Sequence, residues 1–401
     1  MSGVFSRLVG QGAVEAELVA AATAARGDSA HSAVTRGTMT HAWLITGPPG
    51  SGRSIAALCF AAALQCTSDG TPGCGQCRAC TTTMAGTHGD VRRIIPEGLS
   101  IGVDEMRSIV QIAARRPGTG RWQVVIIEDA DRLGERAGNA LLKAVEEPPP
   151  STVFLLCAPS VDPEDISITL RSRCRHVALT TPSLDAIAQV LIADGLPEAD
   201  ARWAASVSGG HVGRARRLAT DEQARRRRER ALGLARDAAT PSRAYAAAEE
   251  LVATAEAEAK ALTGDRNEAE TEELRTALGA GGTGKGTAGT LRAGTGALKD
   301  LEKRQKSRQT RAGRDAMDRA LIDLAAYFRD ALLVSSGAGD VQASHPDMAD
   351  KVAAMAAHVP PDRLLRCMEA VLECREALAI NVKPKFAVDA MVATVGQALR
   401  G

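Results

Sequence analysis

Short β-branched and apolar runs alternate with helical stretches from Val4 to about Val177, and this alternation predicts a parallel sheet covered by helices on both faces. Four runs, at 42–46, 91–95, 123–127 and 152–157, have the length and texture of buried strands. After Thr181-Pro182 the texture becomes helical. Leu184 to Leu218 reads as three short helices broken at Gly195-Leu196-Pro197 and at Gly209-Gly210. From about 221 the chain is again helical and rich in Ala, Glu and Arg, and Met317 to Val334 and Pro360 to Leu378 place apolar residues at helical spacing. Residues 263–312 break this pattern, being glycine-dense from Gly279 to Gly289 and poor in apolar residues beyond. Such a stretch buries too little surface to fold alone and predicts a flexible insertion. The GGTGKGT within it follows no strand, so it reads as linker rather than phosphate loop.

With 401 residues and 45% hydrophobic content, the chain has room for two or three domains of ordinary core size. Its net charge of +1 supplies no global field for nucleic acid or acidic membranes, so any DNA contact must be local. No apolar run approaches a spanning helix and the N-terminus MSGVFSRLVGQ lacks the apolar segment of a signal peptide, so a cytoplasmic protein without a membrane partner is expected.

Four of the nine cysteines, Cys66, Cys74, Cys77 and Cys80, are crowded at a spacing that lets their thiols converge on one tetrahedral ion. Gly70, Gly73 and Gly75 permit the tight loop this requires. A structural zinc is expected, with no open coordination position for chemistry. Cys59, Cys157 and Cys174 lie in apolar or helical contexts and read as small buried hydrophobes.

Gly47-Pro48-Pro49-Gly50-Ser51-Gly52-Arg53-Ser54 matches the phosphate-loop pattern G-x-x-x-x-G-K-[ST] except at the lysine, which is Arg53. A strand before it and an Ala- and Leu-rich helix after it are the right context, because backbone N–H groups and a helix N-terminus then converge on an anion. A forked guanidinium does not replace a compact ammonium equivalently. The strand Val124-Val-Ile-Ile ends in Glu128-Asp129, where P-loop proteins place a metal-shell acid and an acid near the attacking water. The usual order is Asp then Glu. The reversal displaces both carboxylates by a methylene, an error of a kind that costs on the order of 10²-fold in rate.

HAWLITGPPGSGRS, the four-cysteine insertion, VVIIEDADRL, Asn139-Ala-Leu-Leu-Lys143-Ala-Val-Glu146-Glu147-Pro148-Pro149 and Leu170-Arg-Ser172-Arg173-Cys174 resemble, in order and spacing, the motifs of bacterial DNA polymerase III clamp-loader subunits of the AAA+ family. The resemblance covers nearly the whole chain. It implies an α/β AAA+ P-loop domain over 1–180 with a zinc module at 66–80, a small helical lid over 181–220 and an all-helical collar domain over 221–401 that contains the insertion at 263–312. It further implies a nucleotide site made by Gly47, Gly50, Ser51, Gly52, Arg53, Ser54, Glu128 and Asp129, with ATP and Mg2+ as its ligands. Arg173 matches the arginine that projects in trans into a neighbouring subunit's site. The implied partners are other clamp-loader subunits, gamma/tau and delta, in a hetero-oligomeric ring, and through them the sliding clamp and primed DNA.

The match is uneven. The first sensor position falls on Ala158-Pro159 and offers no donor, and the second falls on Gly213, with Arg214 one residue out of register. Lysine, metal acid and both sensors therefore depart together while Arg173 remains, which favours a subunit that does not hydrolyse ATP but assists a neighbour. Two rivals are kept. One is an active gamma/tau-type ATPase using Arg53, Glu128 and Asp129 in substituted roles, and the other a zinc protein whose cysteine loop reads DNA. The second has only Arg78 as basic content between its cysteines. Arg225 to Arg228 reads as a solvated helix face or a contact to acidic neighbours rather than a DNA-reading element, and His88 and His211 as surface or packing residues.

Overall fold

The computed structural model describes residues 3–26, 39–278, 287–338 and 340–400, and the side chains of all of these except 287–295. It divides into two compact units, Met1–Ala219 and Thr220–Gly401. In the first, strands β1 (Ala42–Thr46), β2 (Val91–Ile94), β3 (Gln123–Ile127), β4 (Thr152–Ala158) and β5 (Arg175–Ala178) form one parallel sheet in the order β2-β3-β4-β1-β5. The three inner strands are buried along their whole length. Covered on both faces, they are apolar except at their ends, Thr46, Gln123 and Thr152, which is why they were continuous runs in the sequence.

Alternate residues of these strands enter two different cores. Trp43, Ile45, Val124, Ile126, Val153 and Leu155 meet α1 (Gly12–Ala24) and α2 (Arg53–Gln65), whereas Leu44, Val125, Ile127, Phe154 and Leu156 meet residues of α4 (Val103–Ala113), α5 (Glu135–Glu146) and α6 (Ile168–Arg171). The cysteine segment runs into α3 (Arg78–Met84) on the α2 face. The edge strand β5 has no counterpart among the four expected runs. Exposed His176 and Ala178 flank its one buried residue, Val177, so its sequence lacks the apolar continuity of an inner strand. Helices α7 (Leu184–Ala193), α8 (Glu198–Ser206) and α9 (Val212–Thr220) follow, separated by Gly195 and by Gly209-Gly210 in left-handed conformation.

The second unit is all-helical: α10 (Glu222–Asp237), α11 (Pro241–Ala277), α12 (Thr287–Ser335), α13 (Ala349–His358), α14 (Pro361–Ala379) and α15 (Pro384–Arg400). Leu321, Phe328, Leu364, Val371, Val388 and Val395 are fully buried at its centre. One expectation is corrected here. Residues 263–277 and 296–312, read as part of a flexible insertion unable to fold alone, are helical continuations of α11 and α12; the glycine-dense part at 279–286 lies outside the described residues. The two arms hold each other through Arg308, which donates to Asn267 Oδ1 at 2.9 Å and to Glu270 Oε2 at 3.0 Å, and their few apolar residues are replaced by these polar contacts. Arg228, in the run read as a solvated face or a contact to acidic neighbours, makes the acidic contact. It is buried and bidentate to Asp347 at 2.6 and 2.9 Å, and its Nη2 also donates to His345 Nδ1 at 2.8 Å. With His345 Nε2 donating to the Asp323 carbonyl at 2.9 Å, the imidazole is held neutral, and burial and then Arg228 keep its pKa below the ordinary value.

Candidate nucleotide and metal sites

The loop between β1 and α2 lies at the carboxyl edge of the sheet, where open α/β sheets place ligands. A cavity of about 930 Å³ opens above it, lined by Gly50, Ser51, Gly52, Arg53 and Ser54 on one side and by residues of α7 and α9 on the other. Gly50 has φ +87°, and a Cβ there would come within 2.5 Å of His211, so only glycine lets the loop and the start of α9 approach this closely. Gly47 sits beneath, against Ser51 and Leu179. Gly52 caps α2 without a side-chain acceptor, which leaves the first-turn N–H groups directed at the cavity. Ser51 Oγ and Arg53 Nη1 are buried with no hydrogen-bond partner among the described residues.

The acids stand beside this cradle rather than in its lining. Ser54 Oγ donates to Glu128 Oε2 at 2.9 Å, and Arg93 on β2 pairs with Glu128 Oε1. Asp129 has a left-handed backbone, φ 51°, and lies 4.0 Å from the Arg132 guanidinium. Asp131 is pushed above its ordinary pKa by burial first and by Asp129 second. At the first sensor position Ala158 is fully buried, and the Pro159 carbonyl accepts the Gly47 N–H at 3.2 Å, so this segment braces the loop through its backbone. At the second, Gly213 does line the cavity, but the cation that accompanies it is Arg216, bound to Asp194 at 2.5 Å. Neither Arg216, one turn further along α9, nor Arg93, on another strand, carries a sequence signal linking it to the loop. His211, read as a surface or packing residue, also lines the cavity.

Arg173 follows α6 on an exposed turn. Its guanidinium is not free: it pairs with Glu146 at 2.6 Å and donates to the Thr169 carbonyl at 2.9 Å. Both partners of the ion pair are roughly two-fifths exposed, so the pair orients the arginine without holding it strongly.

The sulfurs of Cys66, Cys74, Cys77 and Cys80 all lie within 4.8 Å of one another. Zn–S bonds of about 2.3 Å in a tetrahedron separate sulfurs by about 3.8 Å, and Cys77 and Cys66 are 3.9 Å apart. The Cys77 and Cys80 amides donate to the Cys74 and Cys77 sulfurs at 3.3 and 3.4 Å, which favours thiolates. Burial opposes ionisation, but surrounding amides outweigh it, lowering the Cys66 pKa and drawing Cys77 down to about 6. Cys80 is raised, by burial first. The donor set therefore fits zinc. Arg26 secures the loop from outside, donating to the carbonyls of Ser68 at 2.9 Å, Gly70 at 2.6 Å and Cys66 at 3.2 Å. Elsewhere Cys59 and Cys157 are buried as expected, while Cys174 is half-buried.

Residues 27–183 match one family described as DNA polymerase III, delta subunit, and residues 315–384 a second described as DNA polymerase III, delta subunit, C terminal. The DNA polymerase III subunit delta' of Pseudomonas aeruginosa is 36% identical over 189 residues, 46% of this chain and 57% of that protein. The same subunit of Escherichia coli is 39% identical over 145 residues, 35% and 43% of the two chains. A gamma/tau subunit from Mycobacterium tuberculosis is 32% identical over 174 residues, 43% of this chain and 28% of that one. The matched region spans about half the length of the delta' relatives. Among solved structures, a gamma subunit-related protein of Thermotoga maritima aligns over 90% of this chain and 95% of its own at 16% identity, with a TM-score of 0.40, too low to weigh on the fold.

Proposed function

From the matches of residues 27–183 and 315–384 to two DNA polymerase III delta-subunit families and from the delta' relatives, we propose that the chain is a delta-prime-type subunit of a bacterial clamp loader. In this reading it is cytoplasmic, joins gamma/tau and delta subunits in a hetero-oligomeric ring, and helps place a sliding clamp on primed DNA. Residues 1–180 act as an AAA+ domain, 181–220 as its lid and 221–401 as a collar. Cys66, Cys74, Cys77 and Cys80 hold one structural zinc. The chain does not hydrolyse ATP; it presents Arg173 to nucleotide bound by a neighbour.

The observation that carries this reading is the contrast between two arginines. Arg173 lies on an exposed turn, oriented by an ion pair weak enough to exchange, while Arg53 replaces the loop lysine beside a Glu128 already engaged by Arg93 and Ser54. A guanidinium supplied in trans is worth roughly 10³–10⁵ in phosphoryl transfer, because it meets charge that develops only in the transition state. A gamma/tau-type motor is the second reading, favoured by the 32% identity to gamma/tau relatives.

Reconstitution separates them. Complexes assembled with Arg173→Ala should form normally but lose ATPase activity, measured with clamp and primed DNA, by a factor on the order of 10². Arg173→Lys should rescue poorly, since a point charge lacks the fork. Equal rates from equally assembled complexes would reject the trans role. A complex whose turnover is abolished by Gly52→Val in this chain, with Arg173→Ala silent, would establish the motor reading instead.

A further inference from the structure

The divalent metal of a P-loop site is held by the loop hydroxyl and by a carboxylate at the end of the adjacent strand. Here those groups are Ser54 and Glu128, and they do not fit the role. Ser54 Oγ donates to one carboxylate oxygen at 2.9 Å, and the Arg93 guanidinium takes the other. The Glu128 side chain is 13% exposed and Arg93, its partner from 35 residues away, 40%. A metal entering this position would meet a cation already in place and a carboxylate with both oxygens engaged. Magnesium demands near-ideal octahedral geometry and tolerates such crowding poorly.

The cradle itself is nevertheless built for an anion. Ser51 is buried, its Oγ has no partner among the described residues, and it lines the cavity; Arg53 Nη1 is in the same state. Besides Arg53, the residues lining the cavity include Arg7 and Arg216, the latter paired with Asp194, the one acidic residue among them. A polyphosphate without its metal has more negative charge to neutralise, and arginine suits it because the fork matches phosphate oxygens.

We infer that the cradle over 47–54 takes a nucleoside polyphosphate without a divalent metal, with Arg93 supplying to Glu128 the positive charge that the metal supplies in other P-loop sites. This rests on the reading of 47–54 as a nucleotide cradle and adds its metal requirement. Arg93 is a specificity-determining residue: it decides whether the acid is open to a metal.

Calorimetric titration of the full chain with ADP, ATP and pyrophosphate, in Mg2+ and in EDTA, tests it. The wild-type dissociation constant for at least one nucleotide should change by less than about two-fold between the buffers, whereas Arg93→Ala should bind at least about ten-fold more tightly in Mg2+ than in EDTA. Arg93→Gln serves as a second variant, and melting curves establish that each is folded. Three results would overturn the inference: tightening of wild type by Mg2+ of about ten-fold or more, absence of binding up to millimolar nucleotide in both buffers, or folded Arg93 variants that stay indifferent to Mg2+. Binding of pyrophosphate alone would reduce the site to a general anion cradle and overturn the nucleotide assignment. Each leaves the clamp-loader reading to be decided separately by Arg173 in the assembled complex.

Discussion

Asp90 shows how one carboxylate can organise a loop. It is buried and accepts hydrogen bonds from the N–H groups of Gly118 at 2.7 Å, Thr119 at 2.8 Å and Gly120 at 2.6 Å, and from the Thr119 hydroxyl at 2.7 Å. Burial alone pushes its pKa up, but four donors to the charged form outweigh this and bring it to about 2. A carboxyl depressed from about 3.9 in the unfolded chain contributes stability that is complete above about pH 4 and is lost as pH falls through about 2. Asp90→Ala should therefore cost about 2–3 kcal/mol at pH 7, and the gap from wild type should narrow as pH falls from about 4 toward 2. Denaturant unfolding followed by tryptophan fluorescence reads this directly, because Trp43, Trp122 and Trp203 all belong to the first unit. A gap independent of pH would mean that Asp90 acts by packing and not by charge.

At the scale of elements, the cysteine loop depends on partners from three places. Cys66 follows α2, Cys80 lies in α3, and the Val4 N–H donates to the Gly73 carbonyl at 2.9 Å, so the loop is closed by the N-terminal segment as well as by its own sulfurs. A Cβ at Gly73 would come 2.9 Å from Val4 Cγ2, and its φ of +86° independently favours glycine. Four thiolates at this spacing complete a closed tetrahedral shell, so the protein purified without added zinc should carry one zinc per chain. Cys77→Ser should lose most of that metal and lower the melting temperature. Chelation should lower it in wild type and leave the variant unchanged. Metal-free wild-type protein that melts at the same temperature as the loaded form would show that the sulfurs merely pack.

For the whole molecule, the decisive feature of the second unit is that its core does not require the arms. Leu321, Phe328, Leu364 and Val388 lie outside 263–312, and α11 and α12 already approach each other where a Cβ at Gly313 would meet Ala259 Cβ at 3.7 Å. Replacing 263–312 by a linker of about four glycines should therefore preserve the helical bundle, at the cost of the buried Leu301 and the Arg308 contacts. The expected change in melting temperature of the second unit is about 4 °C or less. Loss of cooperative unfolding would mean that the arms are part of its core. The absence, among the described residues, of any helix long and apolar enough to cross a membrane agrees with a fold stabilised by these internal cores.

By itself, the sequence determined the features that depend on neighbours along the chain. Continuous apolar runs identified the inner strands, because both of their faces are covered. Glycine spacing and a following helix marked the loop at 47–54 and its tight turn, and cysteine spacing marked a loop able to gather four sulfurs. Tertiary structure decided which charges meet. Arg93 reaches Glu128 only because β2 and β3 are adjacent in the sheet, and Arg216 and His211 reach the cradle only because α9 folds back over it. Arg228, within a run of arginines, could face either solvent or acidic neighbours, and only the fold brought it to Asp347 and His345, more than a hundred residues away. The arms at 263–277 and 296–312 are too polar to declare a core, and their helices pair through side-chain contacts that no periodicity encodes. Burial patterns repeat with the local geometry of a helix or strand and so can be read in one dimension. Ion pairs join positions that only the crossover connections of the folded chain bring within a few ångströms.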